Sequence, residues 1–276
     1  MRATHDYYAD VQLLRGRGSW VKLAILLVVL IALPLILPGY RIFTVNYMAI
    51  FVIVGLGMNL LIGDTGQVSL GHAGFLAVGA YTTVLMMTEL GAPFPLALPV
   101  GGLVTAGFGF LLGLPALRLQ GPYLAIVTLG FGIAVTQIIG HSAFFGGHMG
   151  LVVPTATLGP ISLSGDVSQY YVIVGTALVL ALCARNLSVT RVGRAFRAVR
   201  DSEIAAATMG VDVAYYKTLS FALSAAFTGI AGGLLALMTG FISPGVFNFL
   251  LSLMFLAMVV FGGIGSIPGA VLGSIV

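Results

Sequence analysis

RVGRAFRAVRDSEIAAATMGVDVAYYK (191–217), followed at once by TLSFALSAAFTGIAGGLLALMTG (218–240), decides the fold class. The second stretch is uncharged and reaches the roughly 20 apolar residues that cross a hydrocarbon core. The first is an island of charge. Between Arg185 and Lys217 stand 6 of the 12 Lys/Arg and 3 of the 8 Asp/Glu of the whole chain. Its pattern reads as a short amphipathic helix pair held between two membrane spans. Spending nearly half the charge on one loop implies that the loop meets something in water.

Working outward, hydrophobic residues make up 59% of the 276 residues and charged ones 7%, against roughly 25% charged in a soluble domain. Backbone groups in lipid are satisfied internally, and the alternation of a membrane barrel is absent. The expected fold is all-α: one polytopic transmembrane domain over 1–276, a bundle of about eight spans with broken or re-entrant helices. The spans are expected at roughly 21–38, 43–62, 68–88, 94–114, 122–140, 168–184, 217–240 and 249–276. The first has basic flanks but no small-residue cleavage site, so it reads as an uncleaved anchor.

Positive charge sets the expected orientation. Arg2, Arg15, Arg17 and Lys22 precede the first span, Arg118 follows the fourth, and the island follows the sixth. With the N-terminus in the cytoplasm all three basic segments share one side; Arg41 alone dissents. The segment 141–167, which lacks Lys and Arg, then falls outside, and 185–217 in the cytoplasm. The net charge of +4 is explained by this bias and points to no nucleic acid.

Within the island, Asp201 suits a helix start, Glu203 its first turn and Gly210 its end. Arg197 and Asp201 stand four apart and are placed to pair. A second motif, GDTGQVSLGHAGFLAVGAY (63–81), opens with glycines that permit tight turns and with Asp64, Gln67, Ser69 and His72. These polar groups are costly at membrane depth unless they face protein or water. A broken helix beside a translocation path accounts for them, and so does a turn followed by a close-packed helix. Gln137 is the one suggestive polar residue of the span at 122–140. In 259–276, glycines and Pro268 break the last span, which then forms two shorter pieces. Gly262 and Gly265 repeat the spacing of Gly63 and Gly66, a faint internal repeat. Small-residue stripes, Gly101/Thr105/Gly109/Gly113, Ser69/Ala73/Ala77 and Gly229/Gly233, suit close helix packing.

Other chemistry leaves no trace. There is no phosphate-binding Gly-rich loop with its Lys and no nucleophile–base set. His141 and His148 are too few for a metal site, and the single Cys183 forms no internal disulfide. No cofactor and no enzymatic activity of its own are expected.

NLLIGDTGQVSLGHAGFLAVGAY, GPYLAIVTLGFG, GRAFRAVRDSEIAAATMGVDVAYYK and FGGIGSIPGAVLGS are similar to hallmark blocks of one family. The chain resembles, from about residue 45, the permeases of branched-chain amino acid ABC importers, the LivM-type subunit in particular. The resemblance implies a multi-pass protein of the bacterial inner membrane that carries Leu, Ile or Val by alternating access. Its implied partners are a second homologous permease, two cytoplasmic ATPases and a periplasmic amino-acid-binding protein, with lipid around it. It also implies an ATPase-coupling role for Arg194, Arg197, Arg200, Asp201, Glu203, Ala205, Ala206 and Gly210, Glu203 being offset by one position from the general importer pattern. Family members usually run on to a charged cytoplasmic tail, so a truncated chain is expected here. Urea and short-amide permeases share the family. An ion-coupled transporter or channel would instead rely on Asp64 and His72, and a membrane enzyme would need a catalytic set that is not there.

Overall fold

The computed structural model describes residues 30–34, 37–119, 121–158 and 161–275. Most of the expected first span, with Arg2, Arg15, Arg17, Lys22 and the N-terminal orientation they imply, lies outside these residues. The helices are α1 (Gly39–Asn59), α2 (His72–Thr88), α3 (Phe94–Ala116), α4 (Pro122–His141), α5 (Asp166–Val189), α6 (Arg191–Asp201), α7 (Glu203–Thr208), α8 (Val213–Thr239), α9 (Phe249–Gly262) and α10 (Ile267–Gly273). A π-helical turn, Leu60–Asp64, prolongs α1. Three short 3-10 turns, Ala143–Phe145, Gly147–Met149 and Pro244–Val246, and four two-residue strands are also described: β1 (Leu151–Val152) pairs antiparallel with β4 (Phe241–Ile242), and β2 (Thr157–Leu158) with β3 (Ile161–Ser162).

Among the described residues, six segments are long and apolar enough to cross a membrane: Gly39–Asp64, α3, α4, α5, α8 and Pro244–Gly262. The 17-residue α2 is shorter, spanning about 25 Å at 1.5 Å per residue. It begins at His72 rather than near 68 because the preceding chain is non-helical. The expected last span is indeed two pieces, α9 and α10, separated at Gly263–Ser266.

Burial separates centre from periphery. In α8 and Gly39–Asp64, 78% and 72% of the most apolar window is buried inside the protein, against 22% in α5. The centre is built on small residues, because helices in lipid gain by van der Waals approach rather than by hydrophobic burial. Three of the four members of the expected stripe on α3 lie along α8: Gly109 abuts Ala225, Gly113 abuts Thr218, and Thr105 abuts Gly229, while Gly101 abuts Thr83 of α2. On the other flank, Gly79 of α2 meets the Gly229 backbone, and Gly232 of α8 meets the Leu76 carbonyl. Large side chains such as Phe75, Phe221 and Phe255 fill the remaining space.

The loops fall at two ends. The β1–β4 pair joins the segment after α4 to the end of α8. The π turn, the end of α5, the start of α8 and the α9–α10 break gather at the other end, around α6 and α7. Segments 141–165 and 190–212 therefore lie at opposite ends of the bundle, as the alternation of spans requires.

Candidate functional site

At the end that carries α6 and α7, polar chemistry reaches into the apolar bundle. Gly66 has a φ of +71°, a backbone region that side-chain-bearing residues rarely adopt. It turns the chain out of helix, and the stretch to Gly71 leaves backbone groups that must be satisfied without water. Hydroxyls from three other helices do this or anchor the side chains nearby. Leu70 N donates to Thr128 Oγ1 on α4 at 2.9 Å, and Ala73 N to Ser252 Oγ on α9 at 3.0 Å. Gln67 Nε2 donates to Ser220 Oγ on α8 at 2.8 Å and to Thr65 Oγ1 at 3.0 Å. His72 Nε2 lies 2.9 Å from Ser224 Oγ. The broken-helix expectation is thus met in geometry.

Asp64, Gln67, Ser69 and His72 are all buried within this one region. Gln137 is not brought to it: it is exposed on α4, where its carbonyl meets His141 Nδ1 at 2.9 Å. Ser220, Ser224 and Ser252 escaped sequence reasoning because a helical serine ordinarily reads as self-satisfied. Their signal was available in the four-residue spacing of Ser220 and Ser224, one helix face.

The two glycine pairs of the faint repeat meet in space. Asn59 Oδ1 accepts from Gly265 N at 2.8 Å, and a Cβ on Gly63 would stand 2.6 Å from that nitrogen. Arg200, from the end of α6, lies over this junction. Its Nη1 donates to the Gly63 carbonyl at 2.7 Å, and its Nε and Nη2 donate to Asp201 Oδ1 at 3.3 Å. Two cavities flank the junction. One of about 220 Å³ is lined by Thr65, Gly66, Gln67, Arg200, Glu203 and Lys217. The other, about 390 Å³, is lined by Asn59, Asp64, Arg185, Ser188 and Arg197 among others. Ser188 Oγ donates to Asp64 Oδ2 at 3.3 Å there.

The amphipathic pair forms as expected. In α6 one face buries Ala195, Phe196 and Val199, and Phe196 lies edge-on to Tyr216 of α8. Ser202, rather than Asp201, caps α7 by accepting from Ala205 N at 3.2 Å. Asp201 pairs with its neighbour Arg200, not with Arg197 four residues back; Arg197 instead lines the cavity that Asp64 also lines. Glu203 reaches back into the bundle, its Oε1 2.5 Å from Lys217 Nζ. The Lys217 side chain is 4% exposed, so this ion pair roots α7 in α8. Ala206 is buried as well. Of the eight residues with an implied coupling role, Arg194, Arg200, Asp201, Ala205 and Gly210 are exposed, Arg197 and Glu203 are half-buried and Ala206 is buried; Arg200 and Glu203 nonetheless reach the bundle, through the Gly63 carbonyl and Lys217. Ile204 and Met209, which the sequence did not single out, project 80% and 84% exposed. Apolar tips on a water-facing helix are the kind of surface that marks a protein contact.

A family model described as "Branched-chain amino acid transport system / permease component" matches residues 40–276. Over 287 aligned residues the chain is 37% identical to the "High-affinity branched-chain amino acid transport system permease protein LivM" of Salmonella typhimurium and to that of Escherichia coli, covering 94% of this chain and 68% of each relative. It is 26% identical to the BraD permease protein of Pseudomonas aeruginosa over 242 residues, 82% of this chain and 78% of that one. The LivH permease protein of Escherichia coli is 24% identical over 247 residues, 82% of this chain and 79% of the relative. No solved structure matches the chain. A multi-pass bundle with a broken helix at its polar end, matched along most of its length by this model and these permeases, belongs to the permease-component family of branched-chain amino acid transport systems.

Proposed function

We propose that the chain is one of two related permease subunits of an ATP-driven importer of leucine, isoleucine and valine, and that α6 and α7 are its ATPase-docking element. The carrying observation is α7 itself: a capped helix with Ile204 and Met209 exposed, rooted in the central α8 by the Glu203–Lys217 pair. A loop that only satisfied positive-inside bias would need neither the apolar tips nor the root. The end bearing α6 and α7 is then cytoplasmic and 141–167 periplasmic. The buried polar groups from Asp64 to His72, with Ser220 and Ser224, border the translocation path. ATP is hydrolysed on the separate subunit, and a periplasmic binding protein delivers the amino acid. Similarity to both LivM and LivH relatives supports a pair of homologous permeases.

The test is uptake by proteoliposomes holding this chain, its partner permease and ATPase, with the binding protein supplied. Leucine, isoleucine and valine should accumulate only with ATP, and urea should not. Uptake driven by an ion gradient without ATP would overturn the importer reading.

Docking makes its own prediction. Ile204→Asp places a charge where an apolar contact is expected. The ATPase should then co-purify with the membrane subunits about tenfold less well, the scale of an apolar hot-spot residue, while the bundle stays monodisperse. Unchanged co-purification would remove α7 from the interface. Orientation has a separate check. With Cys183 replaced by serine and a cysteine placed at Ala205, which is exposed, an impermeant thiol reagent should label inverted vesicles and not intact cells. The opposite pattern would reverse the topology.

A further inference from the structure

Arg200 sits where three separately folded features converge. It is the penultimate residue of α6 and stands two residues before Ser202, the cap of α7. Its aliphatic stem covers Gly66, whose absent Cβ would stand 3.1 Å from Arg200 Cγ. Its guanidinium binds the carbonyl of Gly63 at 2.7 Å and lies beside Gly265, whose absent Cβ would stand 3.4 Å from Nη1. Gly66 and Gly265 are positive-φ points of the two helix breaks, at +71° and +81°, the second break holding another at Gly263. The breaks are themselves joined through Asn59 and Gly265 N. Backbone at a helix break has lost regular intrahelical hydrogen bonds, so its shape is set by what else binds it. Here a charged donor from outside the spans binds it, and such bonds are the stronger kind.

We infer that Arg200 is the positioning residue that transmits movement of α6 and α7 to the two helix breaks, so that both breaks change shape together with the docked ATPase. The inference rests on the reading of α6 and α7 as the ATPase-facing element. It assigns Arg200 a task different from docking: the residue is part-exposed, but its guanidinium is bound to the Gly63 carbonyl and so works on the permease side of the contact. A rigid lever fits the geometry, because α6 buries Phe196 and Val199 and is held by that packing. The guanidinium reads two breaks at once, which a single-point lysine ammonium does less well.

The experiment uses the complete transporter in proteoliposomes with Arg200→Gln and Arg200→Lys, and Ile204→Asp as the docking control. For Arg200→Gln the ATPase should co-purify as in wild type, and the readout is amino acid transported per ATP hydrolysed. Amino acid transported per ATP should fall about tenfold or more, the usual range of a coupling interaction, with the substrate KM unchanged. Arg200→Lys should recover part of the loss, since it keeps one charged donor for the Gly63 carbonyl. Loss of ATPase co-purification in Arg200→Gln would make Arg200 a docking residue and overturn the inference. So would unchanged transport per ATP. Should Arg200→Gln fail to assemble, spin labels at Leu114 and Ile264, both exposed at this end, decide the matter in Cys183-free protein. ATP should change their separation in wild type and change it less in Arg200→Lys. An equal change in both, or none in wild type, overturns the inference. Retention of the ATPase by Ile204→Asp would instead sink the docking reading, independently of the Arg200 result.

Discussion

Glu203→Ala is expected to destabilise the permease by about 3 kcal/mol, the low end of what breaking a buried ion pair costs. The Lys217 side chain is 4% exposed and its Nζ stands 2.5 Å from Glu203 Oε1. Removing the carboxylate strands an ammonium that has little access to water. The low end applies because Glu203 is 36% exposed, and water entering beside it screens the orphan charge. Lys217→Met removes the buried charge and leaves the carboxylate nearer solvent, so it should cost less. The double variant Glu203→Ala/Lys217→Met should behave like Lys217→Met alone, because no buried charge remains. Thermal denaturation in detergent, followed by the monodisperse fraction, gives the order. Glu203→Ala as stable as wild type would mean that the pair does not hold α7. Transport should fall in all three variants, since each frees α7 from α8.

That pair also marks the limit of what the sequence made legible. The span pattern was legible because each long span repeats an uncharged apolar run, and composition alone selects helices in lipid. The split of the last span was legible because glycines and Pro268 stand mid-run. The start of α2 was displaced by four residues because helix propensity does not record that Gly66 leaves the helix and Gly71 re-enters it. α8 starts at Val213 rather than near 217, with Asp212 capping it through Tyr215 N at 3.0 Å. Lys217 therefore lies inside the helix and beneath Glu203, whereas a charge count places both on a solvated loop.

The site divides in the same way. Asp64, Gln67, Ser69 and His72 could be picked out because polar residues next to a membrane span are costly. Gln137 satisfied the same rule yet lies on an exposed face of α4, since a single polar residue carries no information about which face it occupies. Arg200 and Arg197 have the same sequence character but different partners, the Gly63 carbonyl and the neighbourhood of Asp64. Only the packing of α6 on the bundle separates them. The pairing of Gly63 with Gly265 was visible as matched spacing, but spacing alone does not say that two such turns touch.

The second large effect is expected at Gly79, and a control glycine makes it sharp. Gly79→Val should cost at least about 3 kcal/mol, the upper range for overpacking, and should abolish transport. A Cβ at Gly79 would overlap the O, Cα and C atoms of Gly229. These are backbone atoms of the most buried helix, so no side chain can swing aside to make room. α2 would have to move away from α8, and with it His72 would leave Ser224, 2.9 Å away. Gly107 lies in the middle of α3, also helical, and a Cβ there would meet nothing within 4 Å. Gly107→Val carries the same β-branched residue into the same kind of backbone, so the intrinsic helix penalty cancels between the two. The difference in their thermal midpoints isolates the helix contact. A wide gap, with Gly107→Val close to wild type in both stability and amino acid uptake, is the expected result. Equal midpoints would mean that α2 and α8 do not approach at backbone contact. The centre of the bundle would then be held by large side chains such as Phe75 and Phe221 rather than by its glycines.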